Sequence, residues 1–109
     1  MFFMKVVIQV SEKEKVPMGN IVGTHIAVLK DVETIEVVFL EGAILATTNE
    51  EMIKPLLDEK KVIVMACKTS MELNHLNETD LVKGVSPTPQ GGFIEIIRRQ
   101  QEGWYYIHV

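Results

Sequence analysis

The sequence predicts a three-layer α/β/α domain, with helices on both faces of a five-stranded, mostly parallel sheet. Three observations predict it. Short apolar runs rich in β-branched residues alternate with helix-start signals along the whole chain. Two of those runs, residues 35–40 and 62–67, are almost continuously apolar, which suits strands covered on both faces. The chain is 109 residues long, 47% hydrophobic and 24% charged, the composition of one globular domain over residues 1–109. A chain of that length buries roughly two-thirds of its unfolded surface and needs no disulfide or structural metal to fold.

Residues 3–10, with Val6, Val7, Ile8 and Val10, read as the first strand, ended by the polar stretch 11–15. Pro17 suits a first helical turn, and Met18, Ile21, Val22, His25, Ile26 and Leu29 follow at helical spacing as an expected inner face. Gly19 and Gly23, four apart, mark close approach of another backbone. After the second strand (35–40), Thr48 and Glu51 form a capping-box pattern that opens a helix through Met52, Ile53, Leu56 and Leu57. Pro55 makes that helix kinked or late-starting. Residues 62–67 form the third strand, and Thr69 with Glu72 repeats the capping-box pattern for a third helix that Asn77 ends. Residues 84–88 read as a brief fourth strand. Gly91 and Gly92 lead into a fourth helix with Phe93, Ile96, Ile97 and Gln100 inside, Gly103 suits its C-cap, and residues 104–107 form the last strand.

Composition and motifs exclude several functions. There are 11 Lys+Arg against 15 Asp+Glu, a net charge of −4, so the basic footprint of a nucleic-acid binder is absent. No apolar stretch approaches the roughly 20 residues of a membrane helix. The N-terminal Met-Phe-Phe-Met run has no basic stretch before it and no small-residue cleavage site after it, so it reads as strand rather than signal peptide, and a cytoplasmic protein is expected. No G-x-G-x-x-G, P-loop or G-x-S-x-G motif is present, and no cofactor is expected.

The single cysteine, Cys67, is the residue on which function turns. It ends the third strand just before a helix start, where ligands of open α/β sheets bind. Helix N–H groups favour a thiolate there, and Lys68 adds to the effect if its ammonium turns inward. The alternative is a small buried residue finishing an apolar strand. His25 reads as a packing histidine on the apolar stripe, His75 as exposed and His108 as terminal. A lone cysteine with scattered histidines predicts no metal site. Arg98 and Arg99 read as the solvated end of a helix, with anion binding as the alternative. Trp104, Tyr105 and Tyr106 read as core or subunit-interface residues.

Three stretches carry a resemblance: Val64-Met65-Ala66-Cys67-Lys68-Thr69-Ser70-Met71, Asp80-Leu81-Val82-Lys83-Gly84-Val85, and residues 94–107 with their Arg98-Arg99-Gln100-Gln101-Glu102-Gly103-Trp104 core. Together they resemble the DsrE/DsrF-like family of small sulfur-relay-related α/β proteins, over essentially the whole chain. Thr69 departs from the pattern, standing where small members tend to carry asparagine. The resemblance implies a DsrEFH-like five-stranded parallel sheet, a homo-oligomer such as a trimer or hexamer, and a cysteine that carries sulfur as a persulfide between donor and acceptor proteins. Cys67 is the only residue of this chain able to take that role. The expected function is therefore a sulfur carrier or sulfurtransferase-like protein. The alternative is a non-catalytic oligomeric module binding a small anion or a protein partner, with Cys67 structural.

Overall fold

The computed structural model describes residues 3–109; Met1 and Phe2, which open the N-terminal apolar run, lie outside the described residues. Strands β1 (Met4–Val10), β2 (Val32–Phe39), β3 (Val62–Ala66), β4 (Val85–Pro87) and β5 (Tyr105–His108) form one sheet. Their order is β4-β3-β2-β1-β5, and every neighbouring pair is parallel. Helices α1 (Val16–Ala27), α2 (Glu50–Leu57), α3 (Lys68–Leu73) and α4 (Gly92–Gln101) connect them, giving the predicted alternation.

Strand alternation divides the interior in two. Val6, Ile8, Val10, Ile35, Val37 and Phe39 face α1 and α2, where Ile53 and Leu56 meet them. Val7, Val38 and Met65 face the opposite side, with Met71 of α3, Ile96 of α4 and Trp104. Val7, Ile8, Ile35, Val37, Val38 and Phe39 are fully buried, each worth roughly 1.5–3 kcal/mol of hydrophobic stabilisation, which makes the central strands the anchor of the fold.

The inner face of α1 differs from the one its periodicity predicts. Val16, Gly19, Gly23 and Ala27 point to the sheet, whereas Met18, Ile21 and Leu29 are about half exposed and His25 lies on the surface. The two glycines decide this. A Cβ on Gly19 would stand 2.8 Å from a Val10 methyl, and one on Gly23 would stand 2.6 Å from a Leu56 methyl. The small-residue stripe lets the helix lie close against β1 and α2, and that contact outweighs the larger side chains that then turn outward.

Other local expectations are also corrected. A 3₁₀ stretch at Glu41–Thr48, unpredicted, separates β2 from α2. Thr48 bonds back to the Leu45 carbonyl at 2.7 Å and caps nothing; Asn49 precedes α2, without a side-chain cap bond. Pro55 lies inside α2, which starts at Glu50 and so is not late-starting. Helix α3 is capped by Cys67 instead of Thr69 and ends at Leu73, before a left-handed His75 with φ of 56°. On α4 the inward residues are Gly92, Glu95 and Ile96, while Phe93 and Ile97 are exposed.

Arg99 is not a solvated helix end, although Arg98 is exposed. Its guanidinium turns inward over the Trp104 ring, 4.6 Å from the centroid. There it meets Glu36 Oε1 at 3.0 Å, Glu95 Oε2 at 3.1 Å and Glu102 Oε1 at 3.1 Å. Glu36 is fully buried on β2, and its Oε2 has no hydrogen-bond partner among the described residues. Burial, then the neighbouring Glu95, push the Glu36 carboxyl up to about 8 against the opposing pull of Arg99. Burial and the nearby Glu95 thus favour the protonated form of Glu36.

Two predictions follow from this packing. Gly19→Val should force α1 off β1 and lower stability by about 1–3 kcal/mol, read as a lower urea midpoint. Glu36 binds its proton more tightly in the folded chain, so its stabilising contribution is complete below pH 4.5 and is lost as pH rises toward about 8. Urea midpoints measured from pH 5 to 9 should fall and then level off, with a limiting slope of about 1.4 kcal/mol per pH unit. In Glu36→Gln, which keeps a donor and an acceptor without a titrating proton, that component of the slope should vanish.

Candidate functional site

In a parallel sheet every strand ends at the same edge, so the turns after β2, β3 and β4 meet. Cys67 stands there, one residue beyond β3. Its N–H donates to the Phe39 carbonyl at 2.9 Å, and its carbonyl accepts from Met71 N–H at 2.9 Å, opening α3. On the other side, Thr88 N–H donates to the Ala66 carbonyl at 2.8 Å, and the Thr88 hydroxyl oxygen accepts Lys68 N–H at 3.0 Å. The same hydroxyl donates to the Gln90 carbonyl, tying this turn to the segment that enters α4. The cysteine backbone is thus held from both sides.

Two backbone N–H groups converge on the sulfur. Ser70 N–H lies 3.4 Å from Sγ and Gly92 N–H lies 3.1 Å from it. The first belongs to the opening turn of α3, the second to the first residue of α4. Both donors take the sulfur as their hydrogen-bond acceptor. Gly92 is required by space: a Cβ there would stand 2.9 Å from Cys67 Cβ and 3.1 Å from Sγ.

The turn after β2 completes the site. Glu41 adopts a left-handed conformation, φ 51°, which costs a non-glycine residue roughly 1–2 kcal/mol. Its N–H donates to Ser70 Oγ at 2.8 Å, offsetting part of that cost. An open cavity of about 380 Å³ lies between this turn and α4, lined by Glu41, Cys67, Ser70, Leu73, Gly92 and Phe93 among others. Leu73 and Phe93 are exposed at its apolar rim, while Cys67 itself is only 4% exposed. A larger cavity, about 480 Å³ beside Lys13 and Asn49, contains neither cysteine nor histidine.

The other candidate residues stand apart from the sulfur. His25, His75 and His108 are exposed, and none lines the Cys67 cavity. Lys68 is exposed and faces a neighbouring cavity with Glu72 and Glu78, so its ammonium does not line the thiol's cavity. Trp104 is a core residue, whereas Tyr105 and Tyr106 are exposed on the edge strand β5. Among the described residues, no group of three or more His, Cys, Asp or Glu could hold a metal ion, and no helix is long and apolar enough to cross a membrane. Glu41, Ser70, Thr88 and Gly92 were not singled out as site residues by sequence. The Gly91-Gly92 pair was the one visible signal, since two successive glycines at a helix start permit close approach.

Gly92→Ala tests the closeness of α4 to the sulfur. The added methyl should push the helix start away and lower stability by about 1–3 kcal/mol. Denaturation should show the loss, and Cys67 should react faster with an uncharged alkylating reagent in the folded protein.

No family model matches the chain, and no curated protein does. Solved structures do. The fold is similar to that of MTH1491 from Methanobacterium thermoautotrophicum, described as a protein of unknown function: the TM-score is 0.82 at 26% identity, over 97% of this chain and 99% of that one. BT1422 from Bacteroides thetaiotaomicron, a conserved protein of unknown function, aligns with TM-score 0.74 at 13% identity, over 96% and 94% of the chains. The ychN protein of E. coli aligns over the full length of both chains, with TM-score 0.67 at 13% identity. These similarities establish the architecture: a five-stranded, all-parallel α/β sheet shared with the ychN fold.

Proposed function

We propose that this protein is a sulfur carrier of the DsrE/DsrF-like type, accepting sulfane sulfur on Cys67. The observation that carries the reading is the convergence of Ser70 N–H and Gly92 N–H on Sγ beside an open cavity. The step is a displacement. The Cys67 thiolate attacks the outer sulfur of a donor persulfide, R–S–SH, forming a new S–S bond. The donor's own S–S bond breaks, and R–S⁻ leaves with the electron pair, so no oxidant is needed. The product, Cys67–S–SH, keeps the donor's proton until a second acceptor thiolate takes the outer sulfur by the same displacement. With one thiol per chain, any resolving thiol comes from another subunit or protein.

The low exposure of Cys67 favours a second reading, in which the thiol is structural and the cavity serves a non-catalytic module that binds a small anion or a protein partner. Mass spectrometry after incubation with a persulfide donor separates the two. The sulfur-carrier reading expects an increment of roughly 32 Da on Cys67, absent in Cys67→Ser and removed by a thiol reductant. No increment under conditions that load an established carrier, together with resistance of the native thiol to alkylation, supports the structural reading.

A homo-oligomer belongs to the same proposal. Exposed Met18 and Ile21 on α1, Val28 and Leu29 just after it, and Tyr105 and Tyr106 on β5 leave apolar surface for a second copy to cover. Sedimentation should show particles larger than the 12.3 kDa monomer, and monomers alone would overturn it.

A further inference from the structure

Helix α4 touches both the Cys67 sulfur and the buried acid of β2. Its first residue closes on the Cys67 sulfur, and its Arg99, paired with Glu95, holds the buried Glu36 of β2. Little else holds it. Its inward residues are Gly92, Glu95 and Ile96, whereas Phe93, Ile94 and Ile97 face outward. Glycines bound it: the Gly91-Gly92 pair at its start, and Gly103, with φ of 91°, at its end. A ten-residue helix with few apolar anchors and a glycine at each end opens at lower cost than the strands beneath it.

We propose that α4 is a proton-controlled cover over Cys67, held shut by the Glu36–Glu95–Arg99 cluster and released when Glu36 loses its proton. The atoms show how. Glu36 Oε1 accepts from Arg99 Nε at 3.2 Å, while Oε2 is buried with no hydrogen-bond partner among the described residues, an atom that a carboxylic proton would suit. The charged groups around Glu36 come from α4 and the turn after it: Glu95 and Arg99, with Glu102 reaching it through Arg99. Its β-sheet neighbours in register, Val7 of β1 and Ile63 of β3, carry no charge. Lys5 of β1 stands over the Trp104 ring, 5.8 Å from its centroid. With the proton in place, the carboxylates of Glu95 and the exposed Glu102 share the guanidinium with a neutral Glu36 carboxyl. Without it, three carboxylates compete for one cation, and the buried Glu36 regains hydration only if α4 lifts. Lifting α4 withdraws Gly92 from Sγ and widens the path to the thiol.

The sign follows from linkage. The closed form binds the Glu36 proton more tightly than the open form does, so closure is firmest below pH 4.5 and weakens as pH rises toward about 8, with no further change above. The device operates whether or not Cys67 carries sulfur. A failed sulfur loading would leave it standing, and its failure would leave the sulfur reading untouched.

The test is alkylation of native Cys67 by iodoacetamide, an uncharged reagent, in the unmodified protein and in Glu36→Gln from pH 5.5 to 9. The variant lacks only the Glu36 proton, so the ratio of the two rates reports the part of thiol reactivity that Glu36 controls through α4. That ratio should rise with pH, by up to about tenfold per unit, and flatten near pH 8. A ratio constant across the range overturns the proposal. Hydrogen exchange on the unmodified protein gives a second reading that needs no variant. Protection of α4 amides relative to α1 amides should fall over the same interval, and relative protection independent of pH would equally overturn it.

Discussion

The common carboxyl edge of an all-parallel sheet is the constraint on which the rest of this molecule depends. Parallel pairing obliges every connection to return to the starting edge, so the turns leaving β2, β3 and β4 crowd together at the opposite one. Cys67 lies within that crowd, its N–H bonded to the end of β2 and its neighbour Ala66 bonded to Thr88 beyond β4. The sulfur's position is therefore a property of sheet register. A slip of one residue in the β2–β3 pairing would turn the side chains of β3 to the wrong layers and remove Cys67 from the helix starts.

Glycine serves the same geometry twice, on opposite faces. Gly19 and Gly23 let α1 approach the sheet, and Gly92 lets α4 approach the sulfur, because a methyl at any of the three would stand within about 3 Å of a neighbouring side-chain atom. The consequences differ. Close packing of α1 against the apolar layer adds stability and turns large side chains outward, where they form exposed surface. Close packing of α4 places an N–H against Sγ but contributes little apolar burial, so this helix depends on a polar cluster for its hold.

That cluster illustrates how a low-dielectric interior changes acid–base chemistry. Glu36 occupies a strand position that composition would fill with valine, and three acidic groups, Glu36, Glu95 and Glu102, meet one guanidinium there. Keeping a proton on Glu36 reduces the surplus negative charge, and its cost is a stability that depends on pH. The stacking of Arg99 on Trp104 fixes the plane from which the guanidinium reaches all three carboxylates.

Local chemistry in the sequence determined much of this protein. Runs of Val and Ile mark β1 to β3, the order of elements follows from their alternation with helix signals, and Cys67 at the end of an apolar run marks the carboxyl edge of the sheet. These were legible because hydrophobic periodicity is a property of near neighbours. Only the tertiary structure decided which face of α1 is buried, since the advantage of Gly19 and Gly23 exists only against Val10 and Leu56. The same holds for Arg99, which reads as a solvated helix end until Glu36, 63 residues earlier, stands beneath it. It holds too for the sulfur, because the N–H nearest to it belongs to Gly92, 25 residues away. Contacts between residues far apart in the chain depend on how layers stack, and that information lies in the fold as a whole rather than in any local pattern.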